Sequence, residues 1–469
     1  MAELNLRKKV VEGGAFLVIR RGVGIVISLV GMLVLTKLIG AKFYGLYSTI
    51  SVITVYLIDL CAVGIRDYLI REEGELKAES FHSAFSFILV TTLSAVLIGI
   101  ALSYPLSIWL NSPEIRLPFI SMLVCAPFYA FIIPCTAKME RELNFRFIAW
   151  IEFHTQTIFY VLALGMAFMH AGVWAPVLAN VIKVVISCFI CSKFAKYKPR
   201  FYWRKQALGA MLHYGVRNVS ARTVGQLRSL VNPLVVGRLV GPEAVACVAL
   251  TIRLIEALSF VNTAIQHVSF PVLSKIQRDR RLLGKALDEA VFLQMLGMAP
   301  FLIGFALLSP WLFPLYFQDD WLPILNLFPF LAVGAIVNSI FSLHAVVLYV
   351  NGSNRVMFRF GLANTLLLGI SAWFLSQWLG IFGYAVAEIV TIASFGIIHL
   401  GIRQICEVHY KQAILVLAAC VPPFFLTSAA YPWALLLLVP LPIVLWLPPI
   451  RRRIRMNVQQ IIRRSEVAS

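Results

Sequence analysis

Long apolar runs separated by short polar loops follow one another along the whole chain. A helix needs about 20 predominantly apolar residues to cross a bilayer, and most of the runs have about that length. The last two are short and contain prolines, so twelve spans plus a re-entrant pair is the alternative to fourteen spans. The runs lie near residues 12–39, 43–65, 81–104, 117–137, 147–169, 173–195, 208–240, 243–271, 287–312, 321–350, 357–379, 381–404, 412–430 and 432–449. The pattern predicts an all-α fold, a polytopic membrane helix bundle.

Composition agrees with the membrane class. Hydrophobic residues make up 60% of the chain and charged residues only 13%, whereas soluble proteins carry about 25% charged residues. A net charge of +19 would suggest nucleic acid in a soluble chain. Here the basic residues concentrate in short loops between apolar runs, which is the positive-inside pattern. We therefore expect contact with membrane lipids, no nucleic-acid partner, and both termini in the cytoplasm.

The seventh apolar run contains three arginines, Arg217, Arg222 and Arg228. Each arginine at the centre of a spanning helix costs roughly 2.5–3.5 kcal/mol, so such charges persist where they face a wet cavity or a partner. On a helical wheel they share one face with Asn218, Gly225, Ser229 and Asn232. Because a guanidinium binds phosphate oxygens bidentately, this face predicts a cationic cavity and an anionic cargo.

The chain also repeats itself once. A shift of about 201 residues places Arg21 on Arg222 and Ser28 on Ser229, without gaps in the first and seventh runs. Because the seventh span repeats the first, each half contains six spans. The two halves are then parallel repeats, which have the same orientation in the membrane. We expect two pseudo-symmetric six-helix lobes plus about two C-terminal helices. The predicted domains are 1–207 (spans 1–6), 208–405 (spans 7–12) and 406–469 (two extra spans and a basic cytoplasmic tail).

Several short motifs occur in an order that is similar to a known family. They are TKLIG and FYGLY at 36–40 and 43–47, AKMERELNFR at 137–146, GVWA at 172–175, FPVLSKIQ at 270–277 and WLP at 321–323. Together they resemble the polysaccharide-transporter branch of the multidrug/oligosaccharidyl-lipid/polysaccharide exporter superfamily, especially colanic acid and O-antigen type flippases. The resemblance covers nearly the whole chain.

This resemblance implies a protein of the bacterial inner membrane that is not an enzyme. It would move an undecaprenyl-pyrophosphate-linked oligosaccharide from the cytoplasmic to the periplasmic leaflet by alternating access. A polysaccharide polymerase and glycosyltransferases are the expected protein partners.

The candidate site residues are mostly basic or amide side chains inside apolar runs. The substrate-binding candidates are Arg20, Arg21, Lys183, Arg217, Asn218, Arg222, Arg228, Asn232 and Arg253. Asp59 and Glu256 are the candidates for coupling to H⁺ or Na⁺. Asp59 also fits simple neutralisation of an arginine, which we favour, and Arg253 with Glu256, three apart, fits a helix-surface ion pair. We expect no cofactor and no metal, because the CxxC spacing of Cys188 and Cys191 has no second pair.

Three alternative functions remain to be distinguished. A cation-coupled multidrug exporter of the same fold would need acidic groups around a cationic drug, whereas this predicted cavity is rich in arginine. A flippase for peptidoglycan lipid precursors also carries an anionic lipid-linked sugar, so charge does not exclude it. A membrane polymerase or ligase would need large external loops, and the predicted external loops are short.

Overall fold

The computed structural model describes residues 2–71, 78–194, 199–277, 279–428, 433–456 and 459. Among these, it describes side chains except those of residues 2–23, 25, 26, 216–222, 263, 264, 267, 268 and 270–272. Throughout the described ranges the backbone forms helices and turns and contains no strand. The predicted all-α class is confirmed.

The helices group into two compact units. The first comprises Met1–Leu250 and Gly361–Tyr384, and the second comprises Thr251–Phe360 and Ala385–Ser469. These units do not follow the predicted boundaries at 207 and 405, and the division into two six-span repeats stays a prediction.

Nine helices or helix pairs in the described part of the chain are long and apolar enough to cross a membrane. They are Ile27–Ala62, Ala78–Trp109, Pro113–Arg141, Phe145–Phe168, Trp174–Phe194, Arg280–Tyr316, Asp319–Val350, Asn354–Leu379 and Ile381–Arg403. A tenth is the bent pair Trp433–Trp446 and Pro448–Met456, if that pair is counted as one span. The chain is therefore a multi-pass membrane protein with a polytopic helical fold.

The first unit contains helices α1 to α9. They are α1 (Ala2–Ala62), α2 (Ile65–Arg71), α3 (Ala78–Trp109), α4 (Arg116–Val124), α5 (Tyr129–Arg141), α6 (Phe145–Phe168), α7 (Trp174–Phe194), α8 (Lys205–Leu227) and α9 (Gly237–Leu239). Inside α1 the helix breaks at Gly40, whose φ of 79° and ψ of 168° suit a residue without a Cβ. This break lies between the first two predicted runs, so α1 contains both of them.

Two apolar clusters hold the first unit together. One packs Ile65 and Leu69 of α2 against α3, α5 and α8. The other packs Leu46 and Ile50 of α1 against Phe119 and Leu123 of α4. Inside a bilayer, helices associate through close van der Waals packing of such side chains, so the second half of α1 packs against α4 in this unit.

The second unit is built mainly from α12 (Arg280–Tyr316), α13 (Pro323–Val350) and α17 (Lys411–Phe424). Its remaining helices or parts of helices are α10 (Pro242–Leu258), α11 (Phe260–Lys275), α14 (Asn354–Leu379), α15 (Ile381–Val390), α16 (Phe395–Arg403), α18 (Pro440–Trp446) and α19 (Pro448–Met456). Helices α10, α14 and α15 each continue into the first unit. Phe328 of α13 contacts Phe424 of α17, with ring centroids 6.5 Å apart, so α13 packs directly against α17.

The predicted runs 208–240 and 243–271 form helices, but neither is a single regular span. Helix α8 ends at Leu227, and a 3₁₀ turn and a π-helical turn follow at Arg228–Leu230 and Asn232–Val236. Ser259 separates α10 from α11. Neither run meets the length and hydropathy expected of a span. The arginines of the first and the break in the second account for two of the predicted spans that are missing from these candidates.

Candidate functional site

Five of the predicted substrate-binding residues lie on α8 and α1. Arg217, Asn218 and Arg222 lie on α8, and Arg20 and Arg21 lie on α1. Their backbone is helical, but their side chains lie outside the described residues. Their contact with a cargo therefore stays a prediction.

Residues at the end of α8 show which side of this helix is packed. Thr365 of α14 donates a hydrogen bond from Oγ1 to the carbonyl oxygen of Val224, at 3.4 Å. One γ-methyl of Val231 lies 3.9 Å from where a Cβ on Gly369 would be. The side bearing Val224 and Val231 therefore packs against α14.

The other side of this segment is open. Gly225 and Ser229 are exposed, and Arg228 is half-buried. No described atom lies within 4 Å of the position that a Cβ on Gly225 would take. Both small residues belong to the face predicted to line a cavity, and this geometry leaves room beside Arg228 for another molecule.

Asn232 lies in different surroundings from those that the helical wheel predicts. It stands in the π-helical turn, is 6% exposed, and its Nδ2 donates to the carbonyl oxygen of Val245 at 3.3 Å. Pro233 follows it and lacks a backbone N–H, so a regular α-helix loses a hydrogen bond there. A wheel of 100° per residue therefore does not apply beyond Leu227, and Asn232 joins this segment to α10.

Asp59, a candidate for coupling, contacts α8. Its Oδ2 accepts a hydrogen bond from Nε2 of Gln226 at 2.9 Å. Gln226 was missed in the sequence analysis, although an amide four residues after Arg222 in an apolar run is itself an unusual feature. The bond links the end of α1 to α8, and both helices belong to the first unit.

Lys183 lies between α7 and α6. Its Nζ is 3.5 Å from Oε1 of Gln156, to which it donates, and 5.6 Å from the centre of the Phe159 ring. It is half-buried, whereas Glu152 on the same side of α6 is exposed. Lys183 is thus held by an amide and an aromatic ring in the first unit, and its role in binding stays a prediction.

Arg253 and Glu256 form an ion pair on α10. Arg253 Nη1 lies 3.2 Å from Glu256 Oε2, and the two side chains are 65% and 59% exposed. This geometry is the helix-surface pair that a spacing of three residues favours. Exposed pairs of this kind contribute about 0–1 kcal/mol, so the pair has little effect on the stability of the fold.

A cluster of uncharged polar side chains lies inside the second unit. Gln294 of α12 is fully buried and donates to Ser342 Oγ at 3.1 Å and to Asn262 Oδ1. Gln266 also donates to Asn262 Oδ1, at 3.0 Å. Interhelical amides stabilise packing between membrane helices. Gln294 therefore ties α12 to α11 and α13.

A second polar chain joins α13, α16 and the residue before α17. Tyr410 Oη lies 3.3 Å from His344 Nε2 and 3.2 Å from His399 Nδ1. Burial raises the pKa of Tyr410, so its hydroxyl keeps its proton and can donate. Among the described residues, no group of three or more His, Cys, Asp and Glu side chains could hold a metal ion.

Comparison with known families places the chain in one of them. The profile of the family described as "Polysaccharide biosynthesis protein" matches residues 34–326, which is more than half of the chain. The matched stretch includes α8, the Asp59–Gln226 contact and the amide side chains of Asn262, Gln266 and Gln294.

Curated relatives are distant but extensive. The Lipopolysaccharide biosynthesis protein WzxC of Escherichia coli (strain K12) is 22% identical over 90% of this chain and 86% of its own length. The Amylovoran biosynthesis protein AmsL of Erwinia amylovora is 21% identical over 66% of this chain and 81% of its own length.

A solved structure shares the fold. The Lipid II flippase MurJ, in an inward closed conformation, superposes with a TM-score of 0.75 and 16% identity, covering 96% of this chain and all of MurJ. At this identity the likeness concerns the fold alone, and it agrees with the predicted polytopic bundle. The profile match is independent evidence, and it shows that this chain belongs to the polysaccharide biosynthesis protein family.

Proposed function

We propose that this protein translocates an undecaprenyl-pyrophosphate-linked oligosaccharide across the bacterial inner membrane by alternating access. The observation that carries the proposal is that α8, in a chain of this family, contains Arg217 and Arg222 within an apolar run. An anionic head group needs compensating charge inside a bilayer, and arginine supplies it as a bidentate donor that stays charged at any depth. Relatives named for lipopolysaccharide and amylovoran biosynthesis favour a glycan-bearing cargo.

Arg222 and Arg228, with Arg21 on α1, would receive the pyrophosphate group. The open positions at Gly225 and Ser229 leave space beside Arg228. The cavity then opens towards the periplasm, and water replaces the arginines as the solvent of the head group. Both termini lie in the cytoplasm in this scheme, and no catalytic step is needed.

Arginine substitutions test the proposal. In a host lacking its own flippase, Arg222→Ala should lower surface polysaccharide at least tenfold, whereas Arg222→Lys should lower it less because the point charge remains. Arg281→Ala is the matched control, since Arg281 is an exposed arginine at the start of α12. Protein abundance in the membrane fraction is measured in parallel. Full export by the double variant Arg222→Ala, Arg228→Ala at normal abundance would overturn the proposal.

The fold likeness to MurJ makes a peptidoglycan-precursor flippase the second candidate. Complementation separates the two, because a lipid II flippase should restore growth to cells depleted of their own. We expect restoration of surface polysaccharide but not of growth in such cells.

A further inference from the structure

The last two described helices meet at a sharp bend. Helix Trp433–Trp446 and helix α19 form an angle of 71°. The first of them exposes large apolar side chains along its length, among them Leu436 at 61% and Ile443 at 59%. Such a surface belongs in the hydrocarbon of a bilayer. Because of the bend, α19 does not continue in the direction of this apolar helix.

Helix α19 has two different sides. Ile450 is fully buried, and Arg453, three residues later, points the same way. Arg453 Nη2 lies 2.6 Å from Glu289 Oε2, its Nη1 donates to Gln412, and its guanidinium lies 4.5 Å from the centre of the Phe292 ring. These contacts fix the orientation of α19 on α12 and α17, all within the second unit.

The opposite side of α19 therefore presents a defined set of charges. Arg451, Arg452 and Arg455 are exposed on it. The guanidinium of Arg451 lies 4.7 Å from the centre of the Trp446 ring, and Trp446 is 72% exposed. Tryptophan is enriched at the boundary between hydrocarbon and head groups. One guanidinium group thus lies beside an aromatic ring of the kind found at head-group depth, and two more are exposed on the same side of α19.

We propose that Arg451, Arg452, Arg455 and Trp446 form a binding site for the phosphate head group of an anionic phospholipid. The three arginines supply charge-assisted donors, and Trp446 marks the level of the head group. The acyl chains lie along the exposed apolar side of α18. Arg453 is a positioning residue, because its pairing with Glu289 turns the other three arginines outward. This site is independent of the cargo and of the arginines on α8.

Trp446 provides the probe. The protein is placed in nanodiscs that contain brominated phosphatidylglycerol or brominated phosphatidylcholine, and the fluorescence of a W446F variant is subtracted to isolate the Trp446 signal. Each basic residue near an anionic surface favours binding about fivefold at low salt. We expect phosphatidylglycerol to reach half-maximal quenching at a mole fraction at least tenfold lower than phosphatidylcholine does. Added salt should reduce this preference for phosphatidylglycerol over phosphatidylcholine.

Charge-removing variants decide the result. R451Q/R452Q/R455Q should abolish the preference, and R452Q alone should lower it about fivefold. The matched control K193Q/R200Q/K205Q removes three exposed positive charges from the first unit and should keep the preference. An unchanged preference in R451Q/R452Q/R455Q, or an equal loss in the control, would refute the site. Displacement by soluble pyrophosphate that exceeds displacement by sulfate at the same ionic strength would assign the arginines to a phosphate other than a lipid head group.

Discussion

Asp59 accepts a hydrogen bond from the neutral amide of Gln226, which leads to a prediction about coupling. Asparagine at position 59 has nearly the same shape and can still accept a hydrogen bond through its carbonyl oxygen. If Asp59 fixes α1 to α8, the Asp59→Asn variant should export polysaccharide at half the normal level or more. The measurement is surface polysaccharide per unit of membrane-inserted protein.

The control for this experiment is Gln226→Leu, which leaves the carboxylate without that donor. An unpaired, partly buried polar group costs about 1–3 kcal/mol. This variant should therefore lower thermal stability more than Asp59→Asn does. Complete loss of export in Asp59→Asn at normal abundance would instead support a proton- or cation-carrying role for the carboxyl group.

Two glycines on α8 give a matched stability test. A Cβ on Gly215 would overlap the carbonyl oxygen of Val63, whereas no described atom lies within 4 Å of a Cβ on Gly209. Overpacking of this kind costs about 1–3 kcal/mol. Gly215→Ala should lower the midpoint of thermal aggregation in detergent by several degrees, and Gly209→Ala should leave it unchanged or raise it. Equal midpoints would mean that α8 is not packed closely at Val63.

Single residues differ in how far the sequence predicts their surroundings. The spacing of Arg253 and Glu256 fits an ion pair, and the pair is present. The burial of Asn232 depends on Pro233 and on the carbonyl group of Val245 thirteen residues away. A periodicity argument assumes a regular helix, so it does not describe a turn that a proline disturbs.

At the scale of the element, the two sides of α8 should differ in access to water. Gly225 and Ser229 are exposed, whereas Leu227 and Leu230 are half-buried. In a cysteine-free background, Gly225→Cys and Ser229→Cys should react with a membrane-impermeant maleimide at least fivefold faster than Leu227→Cys and Leu230→Cys. Mass shift on a gel measures the rates. Equal rates on both sides would argue against a wet cavity along this helix.

Helix boundaries show where hydropathy is sufficient and where it is not. The break in α1 at Gly40 falls between two predicted runs, because Gly40 and the polar residues beside it are visible in the sequence. The break between α10 and α11 at Ser259 was not predicted. It lies within an apolar stretch, and Gly297 allows α12 to approach it so closely that a Cβ there would meet Val261. Such a break depends on tertiary packing.

For the whole molecule, motif order and hydropathy were enough to predict the fold and the family. The profile match agrees with the family, and the MurJ superposition agrees with the fold. The identity of the glycan is a different matter, because it depends on side chains that contact a ligand. A fold shared at 16% identity does not transfer such contacts, so the cargo has to be tested through Arg222 and its neighbours.

Orientation in the membrane follows from the distribution of charge over the whole chain. The positive-inside rule predicts that the basic loops lie on the cytoplasmic side, and the bent C-terminal pair ends in the basic helix α19. A fluorescent protein fused after Ser469 should therefore be bright, and alkaline phosphatase fused there should be inactive. Alkaline phosphatase inserted after Asn111, between α3 and α4, should be active because this loop is predicted to lie on the opposite side. Phosphatase activity at Ser469 would mean that the two C-terminal helices cross the membrane an odd number of times. In that case α19 would lie on the periplasmic side.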